Sequence, residues 1–211
     1  MPYLLILLGC FGITISIIGL YIPFIQQLDT SIVAWVSQYR NPFFDGIAVF
    51  LSYVGGLPAM LLFVGIWAIQ QWRLKQNLTS LFILLGLIGG SAIGWLLKFT
   101  FNRPRPDAIY QMVQTYGAAF PSAHSLYAAV LFVLVILIGR SQYYSNKMMI
   151  LAMIWCVGMG FSRVYLGAHY PTDVISGWSI AFLWVAVLWL LLSKQITKQR
   201  IIFREKSYEV E

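Results

Sequence analysis

Residues 78–98, LTSLFILLGLIGGSAIGWLLK, carry no charge until the final lysine. At the helical rise, those twenty uncharged residues span ~30 Å, the thickness of a bilayer's hydrocarbon core. Gly86, Gly90 and Gly94 recur every fourth residue, forming a smooth stripe on which another helix can pack closely, so this helix is expected inside a bundle. The rest of the chain agrees. Of its 211 residues, 60% are hydrophobic and only 10% charged, and the mean hydropathy is +0.78. That balance predicts an all-α polytopic membrane protein rather than a soluble domain.

Five further charge-poor stretches accompany the first, giving six expected transmembrane helices at 3–24, 46–72, 78–97, 124–140, 148–164 and 171–193. Residues 1–193 then form one membrane domain and 194–211 a basic cytoplasmic tail. The first stretch lacks a basic start and a small-residue cleavage site, which favours a retained anchor over a cleaved signal peptide. Between the first two spans, Ile32, Trp35, Val36 and Tyr39 follow helical spacing behind possible caps at Asp29, Thr30 and Ser31. This is either a short interfacial helix or an ordered loop.

With both termini cytoplasmic, nine of the 14 basic residues fall inside, as the positive-inside rule prefers. The net charge of +7 is therefore a topology signal, and nucleic-acid binding is not expected. Cys10 and Cys156 fall within spans and offer no disulfide or metal pattern. Outside the tail the acidic residues are Asp29, Asp45, Asp107 and Asp173, and there are two histidines. No carboxylate cluster for magnesium and no zinc ligand set is expected, and no cofactor is implied.

The outer side nonetheless keeps Arg40, Lys98, Arg103, Arg105 and Arg163. Cations there run against the topology bias, and an anionic ligand would account for them. All but Arg40 fall in two of three polar segments that the six-span layout brings to one face: KFTFNRPRP (98–106), FPSAH (120–124) and SRVYLGAHYPTD (162–173). Each has an ordinary reading. Lys98 can snorkel, Ser122 can cap the helix that His124 enters, and His169 with Asp173 can form an interfacial hydrogen bond. Each also has a chemical one. A helix start with free N–H groups binds phosphate, and a carboxylate four residues after a histidine can orient its ring as base or nucleophile. Stretches 125–139 and 148–162 are 15 residues each, or ~23 Å as helix, so the site would sit at or just below the outer headgroups. Tyr110, Tyr116, Phe120 and Trp35 could line its mouth or anchor the chain in the interface.

Together the three segments resemble the signature of the type 2 phosphatidic acid phosphatase superfamily in its bacterial membrane branch. That signature runs Lys, six residues, Arg-Pro; then Pro-Ser-Gly-His; then Ser-Arg, five residues, His, three residues, Asp. Here it is met by Lys98 with Arg105-Pro106, by Pro121-Ser122-Ala123-His124, and by Ser162-Arg163 with His169 and Asp173. Ala123 departs from the usual glycine, adding one methyl. The resemblance implies a metal-independent lipid phosphatase on the outer face of the cytoplasmic membrane, with a lipid phosphate substrate and membrane lipids as its partners. It casts His169 as nucleophile, Asp173 as the group fixing its tautomer and His124 as general acid and base. Lys98, Arg105, Ser122, Ala123 and Arg163 would hold the phosphate oxygens. Undecaprenyl diphosphate is the favoured substrate by family analogy, with phosphatidylglycerophosphate and phosphatidic acid as alternatives. A lipid-linked phosphotransferase using the same phosphohistidine is the runner-up. A transporter is disfavoured because the titratable groups gather on one side, and a vanadate haloperoxidase because the span count is high. Arg103 lies outside the signature, so its replacement is expected to cost less than that of a signature residue. The oligomeric state is left open.

Overall fold

The computed structural model of the protein describes residues 1–140 and 146–208, with side chains for 1–139 and 146–201. The side chains of Arg140, Arg204 and Lys206, counted above among the inner cations, lie outside the described residues. Eight α-helices and one 3-10 turn, and no strand, make up the described residues: α1 Pro2–Gly19, α2 Pro23–Ser37, α3 Pro42–Val54, α4 Leu57–Arg73, α5 Asn77–Phe101, α6 Ala123–Arg140, α7 Asn146–Tyr165 and α8 Pro171–Tyr208. The all-α class expected from composition is what the chain adopts. Helices α1, α2, α3 and α8 each open on a proline, whose missing N–H costs nothing in a first turn.

Helices α1, α5, α7 and the Pro171–Ile201 part of α8 are long and apolar enough to cross a membrane. The expected second span is not one rod. It begins earlier, at Pro42, and breaks into α3 and α4, which meet at 59°. Gly55 and Gly56 occupy the break and Pro58 sits in the first turn of α4, a combination that removes both side-chain support and a hydrogen-bond donor. Counted as one bent span, the pair brings the total to five. The apolar part of α6, Ala123–Gly139, is shorter than these.

Two other expectations change at their boundaries. The helix between the first two spans exists, but Pro23 starts it and the supposed cap Asp29 lies in its middle, only 2% exposed. That carboxylate is committed to groups on other elements, described below. The last helix continues past residue 193, with no glycine or proline beyond Gly177 to stop it. There the side chain of Gln199 accepts a hydrogen bond from Leu78 N (3.0 Å) and donates to the Lys75 carbonyl (3.1 Å), which ties α8 to the turn between α4 and α5.

Helix α6 is the centre of the bundle, in contact with α4, α5, α7 and α8, and α1 lies along α8. Leu126, Ala129, Val130, Val133, Leu134 and Leu137 of α6 are buried in the main core. The glycine stripe of α5 meets this helix as expected: a methyl added at Gly86 would lie 3.2 Å from Leu134, and one at Gly94 3.0 Å from Leu126. At Gly177 a Cβ would stand 2.6 Å from the Ser122 carbonyl. Its absence lets the start of α8 lie directly on the start of α6, which brings two of the three polar segments together.

Candidate active site

Lys98 is in the last turn of α5, buried, with its ammonium donating to the Ala118 carbonyl. The helix ends at Asn102 in a left-handed conformation (φ 39°), turning the chain into the loop that carries Arg105. That guanidinium spends its donors in several directions. Nε donates to the Gly117 carbonyl (2.9 Å), Nη2 to that of Tyr116 (2.6 Å) and Nη1 to that of Ala168 (2.8 Å), while Nη1 also stands 3.3 Å from His169 Nε2. Arg163, in the last turn of α7, donates from Nη1 to the Ser52 hydroxyl (2.6 Å), and its buried Nε has no partner.

The helix break supplies a contact that the sequence motifs do not contain. Gly56 N turns to the Tyr53 carbonyl and Gly55 N to that of Leu51. The Ser52 carbonyl, thus spared by the α3 ladder, stands 3.0 Å from Nε2 of His124, in the first turn of α6. One residue at the break therefore holds both Arg163 and His124.

His169 follows a tight end to α7. Gly167 adopts φ 64°, and the Arg163 carbonyl accepts from the N–H groups of Ala168 (3.0 Å) and His169 (3.2 Å). A Cβ at Gly167 would stand 2.0 Å from the Tyr110 carbonyl, so alanine there conflicts with both the backbone conformation and the space. Gly167→Ala is expected to cost about 1–3 kcal/mol, seen as a lower melting temperature in detergent; an unchanged melting curve would refute this account of the turn. Arg40 supports the same end, donating to the carbonyls of Tyr165 and Tyr110 (both 2.7 Å from Nη2).

These segments enclose a cavity of about 200 Å³ lined by Lys98, Arg105, Arg163, His124, His169 and Ala123, with Leu57, Trp95, Tyr127 and the loop residues 114–116. Ser122 and Asp173 stand behind this wall, each fully buried. Ser122 Oγ accepts from Ser125 Oγ (2.9 Å) and faces the Ser125 N–H (3.5 Å), the cap reading of that residue. Of the four aromatics considered for the mouth, Tyr116 lines the cavity, while Phe120 is buried against Phe101. Trp35 belongs to a separate apolar groove.

Among the described residues, Lys98, Arg105 and Arg163 have no carboxylate within ion-pair distance. Three cations thus face one small cavity without a salt-bridge partner, the electrostatic form of an anion site. Arg105 donates and cannot accept, so Nε2 of His169 presents its lone pair there and the ring proton belongs on Nδ1. That nitrogen lies 3.5 Å from Asp173 Oδ2, close enough for attraction but outside hydrogen-bond geometry. Burial first, and then Arg105, Arg163, Lys98 and His124, hold the His169 pKa well below its ordinary value. Burial likewise lowers Arg105, against the pull of Asp173. No three His, Cys, Asp or Glu side chains cluster as metal ligands among the described residues.

A sequence profile of the PAP2 superfamily matches residues 79–197. The chain belongs to the PAP2 superfamily. As a PAP2 protein it is a membrane-embedded hydrolase of the lipid phosphatase class. It is 28% identical over 164 residues to phosphatidylglycerophosphatase B of Bacillus subtilis, covering 75% of this chain and 80% of that one. It is 24% identical over 150 residues to undecaprenyl-diphosphatase BcrC of the same organism, covering 69% and 74%. Among solved structures, a transmembrane PAP2-type phosphatidylglycerolphosphate phosphatase from B. subtilis superposes with a TM-score of 0.77 at 25% identity, covering 93% of this PAP2 chain and 96% of that one.

Sequence reasoning did not find Ser52 or Thr172, and it read Asp29 only as a helix cap and Arg40 only as an outer-side cation. The Gly-Gly-Leu-Pro run at 55–58 signals a break, and hence a free carbonyl just before it. Nothing in the sequence signals that Asp29 reaches Thr172.

Proposed function

We propose that this protein hydrolyses a lipid phosphate or diphosphate through a phosphohistidine on His169. The observation that carries this reading is the small cavity on which three cations without salt-bridge partners and both histidines converge. The cations take the non-bridging oxygens, with Arg163 Nε and the N–H groups at the start of α6 as additional donors. His169 Nε2 attacks phosphorus, and the bond to the lipid oxygen breaks as His124 delivers a proton to it. His124 then takes a proton from water, whose oxygen displaces the phosphate from His169. Because the Ser52 carbonyl holds Nε2–H of His124, Nδ1 is the nitrogen that exchanges this proton. The lining residues alone supply charge neutralisation, so the reaction needs no metal.

Six spans with both termini cytoplasmic would place the cavity at the outer face of the cytoplasmic membrane. The named relatives point to undecaprenyl diphosphate or phosphatidylglycerophosphate as substrate. The first is favoured here by family analogy. Phosphate release from a panel of lipid phosphates and diphosphates, in detergent with EDTA, tests this reading. Turnover that survives EDTA and ranks the diphosphate first supports it; activity abolished by EDTA and restored by a divalent ion overturns it.

The depressed pKa of His169 sets a pH expectation. A histidine that resists protonation keeps its attacking lone pair below the ordinary imidazole range, so kcat/KM should not fall with the usual midpoint near 6.5. Stability moves the opposite way. The unfolded chain takes up a proton at about pH 6.5 that folded His169 refuses, so the melting temperature should decline as pH falls below that value. An acid limb of kcat/KM centred at 6.5 and assigned to His169 would contradict this.

A further inference from the structure

Asp173 does not face His169 alone. Its Oδ1 accepts from Arg103 Nη1 at 2.6 Å, and its Oδ2 accepts from Tyr170 N at 2.9 Å, while His169 Nδ1 lies 3.5 Å from Oδ2. The other nitrogen of the same guanidinium, Nη2, donates to Asp29 Oδ2 at 2.7 Å, and the Arg103 carbon lies 4.1 Å from the centre of the Tyr170 ring. Asp29 also accepts from the backbone N–H (3.1 Å) and the hydroxyl of Thr172. A carboxylate on α2 therefore satisfies an orphan N–H in the first turn of α8, while Asp173 caps the Tyr170 N–H in the same turn.

From this arrangement we infer that Arg103, clamped by Asp29, is a positioning residue that aims the Asp173 carboxylate at His169. The inference rests on the reading of His169 as nucleophile. A carboxylate torsion is broad and roughly two-fold, so one anchor leaves the plane free to rotate. Arg103 fixes one oxygen and the Tyr170 N–H the other, which leaves the remaining lone pair of Oδ2 for Nδ1–H of His169. Asp29 and Asp173 both lie at or below 2% exposure, and Arg103 is the cation that balances each. Burial pulls the Arg103 pKa down, but Asp173 and Asp29 together hold it above its ordinary value, so the guanidinium stays charged throughout. Since Asp29 belongs to α2 and Arg103 to the loop after α5, the chain links a helix outside all three signature segments to the nucleophile's orientation.

The test is steady-state kinetics and melting in detergent for Arg103→Ala, Arg103→Lys, Asp29→Asn and the Asp29→Asn/Arg103→Ala pair, beside wild type. Outer partners of reacting groups are worth about 10- to 100-fold, so Arg103→Ala should lose that much in kcat with KM nearly unchanged. Free guanidinium at a non-denaturing concentration should restore part of the loss in Arg103→Ala and none in His169→Ala. Asp29→Asn should cost less, and the pair no more than Arg103→Ala alone, because both act through one contact. A kcat for Arg103→Ala within about twofold of wild type, a loss confined to KM, or additive losses in the pair overturns the inference. Should Arg103→Ala melt below the assay temperature, Arg103→Lys and Asp29→Asn decide it: kcat falling at unchanged KM supports positioning, and wild-type kcat refutes it. An inactive wild type would instead refute the phosphatase reading itself.

Discussion

Replacing His169 by alanine is expected to abolish phosphate release, by about 10⁵- to 10⁶-fold in kcat, the scale on which removal of a nucleophile from a covalent mechanism falls. The size of the effect follows from the absence of a substitute. The other cavity histidine, His124, has Nε2 occupied by the Ser52 carbonyl, and the remaining polar groups of the wall are cations, loop residues and Tyr127. Binding should survive, because the three cations do not depend on the imidazole: Lys98 is held by Ala118, Arg163 by Ser52, and Arg105 mainly by the carbonyls of residues 116, 117 and 168. The variant should therefore bind inorganic phosphate or a lipid phosphate with near wild-type affinity while failing to turn it over. Substantial residual turnover would remove His169 from the nucleophile's role.

Arg105 should show the next largest loss. Among the described residues it is the cavity cation that bonds both the His169 turn and the facing 116–117 loop, and it stands beside His169 Nε2. Alanine removes one charged donor from the phosphate and releases two loop segments, so a drop of about 10²- to 10³-fold in kcat/KM is expected. Lysine should recover little of it. An ammonium keeps the charge but cannot present a planar fork to carbonyls lying in different directions. Activity of Arg105→Lys close to wild type would mean that charge alone matters there, and that the loop contacts are incidental.

The residues of the candidate site were more legible in the sequence than the way they are held. Lys98, Arg105, Arg163, His124 and His169 could be placed on one side because cations on the outer face of a membrane protein need a reason, and spacing placed them at helix ends. The cavity brings all five together. The all-α class followed from charge-poor runs, and the α5 glycine stripe from a period of four. What could not be read were contacts between distant segments. Asp29 looked like a cap because acidic residues often precede helices, yet Pro23 starts that helix, and the carboxylate serves α8 and Arg103, 143 and 74 residues away. Arg103 was expected to matter less than a signature residue because it sits outside the signature, although its nitrogen is nearer to Asp173 than His169 is. The second span looked continuous because its composition never changes. The break that frees the Ser52 carbonyl was written only in two glycines and a proline, and hydropathy averages over them.

The most direct test of the central claim is to look for the covalent intermediate. Protein mixed with ³²P-labelled lipid phosphate and quenched in alkaline detergent should carry a label that resists base and is lost in acid, as a phosphoramidate is. Peptide mapping should place it on His169. In His124→Ala the label should form more slowly, without the acid of the first step, and once formed decay more slowly, without the base of the water step; it should be absent from His169→Ala. Wild-type turnover with no trapped label in either active protein or His124→Ala, or a label that maps to any other residue, would contradict the account.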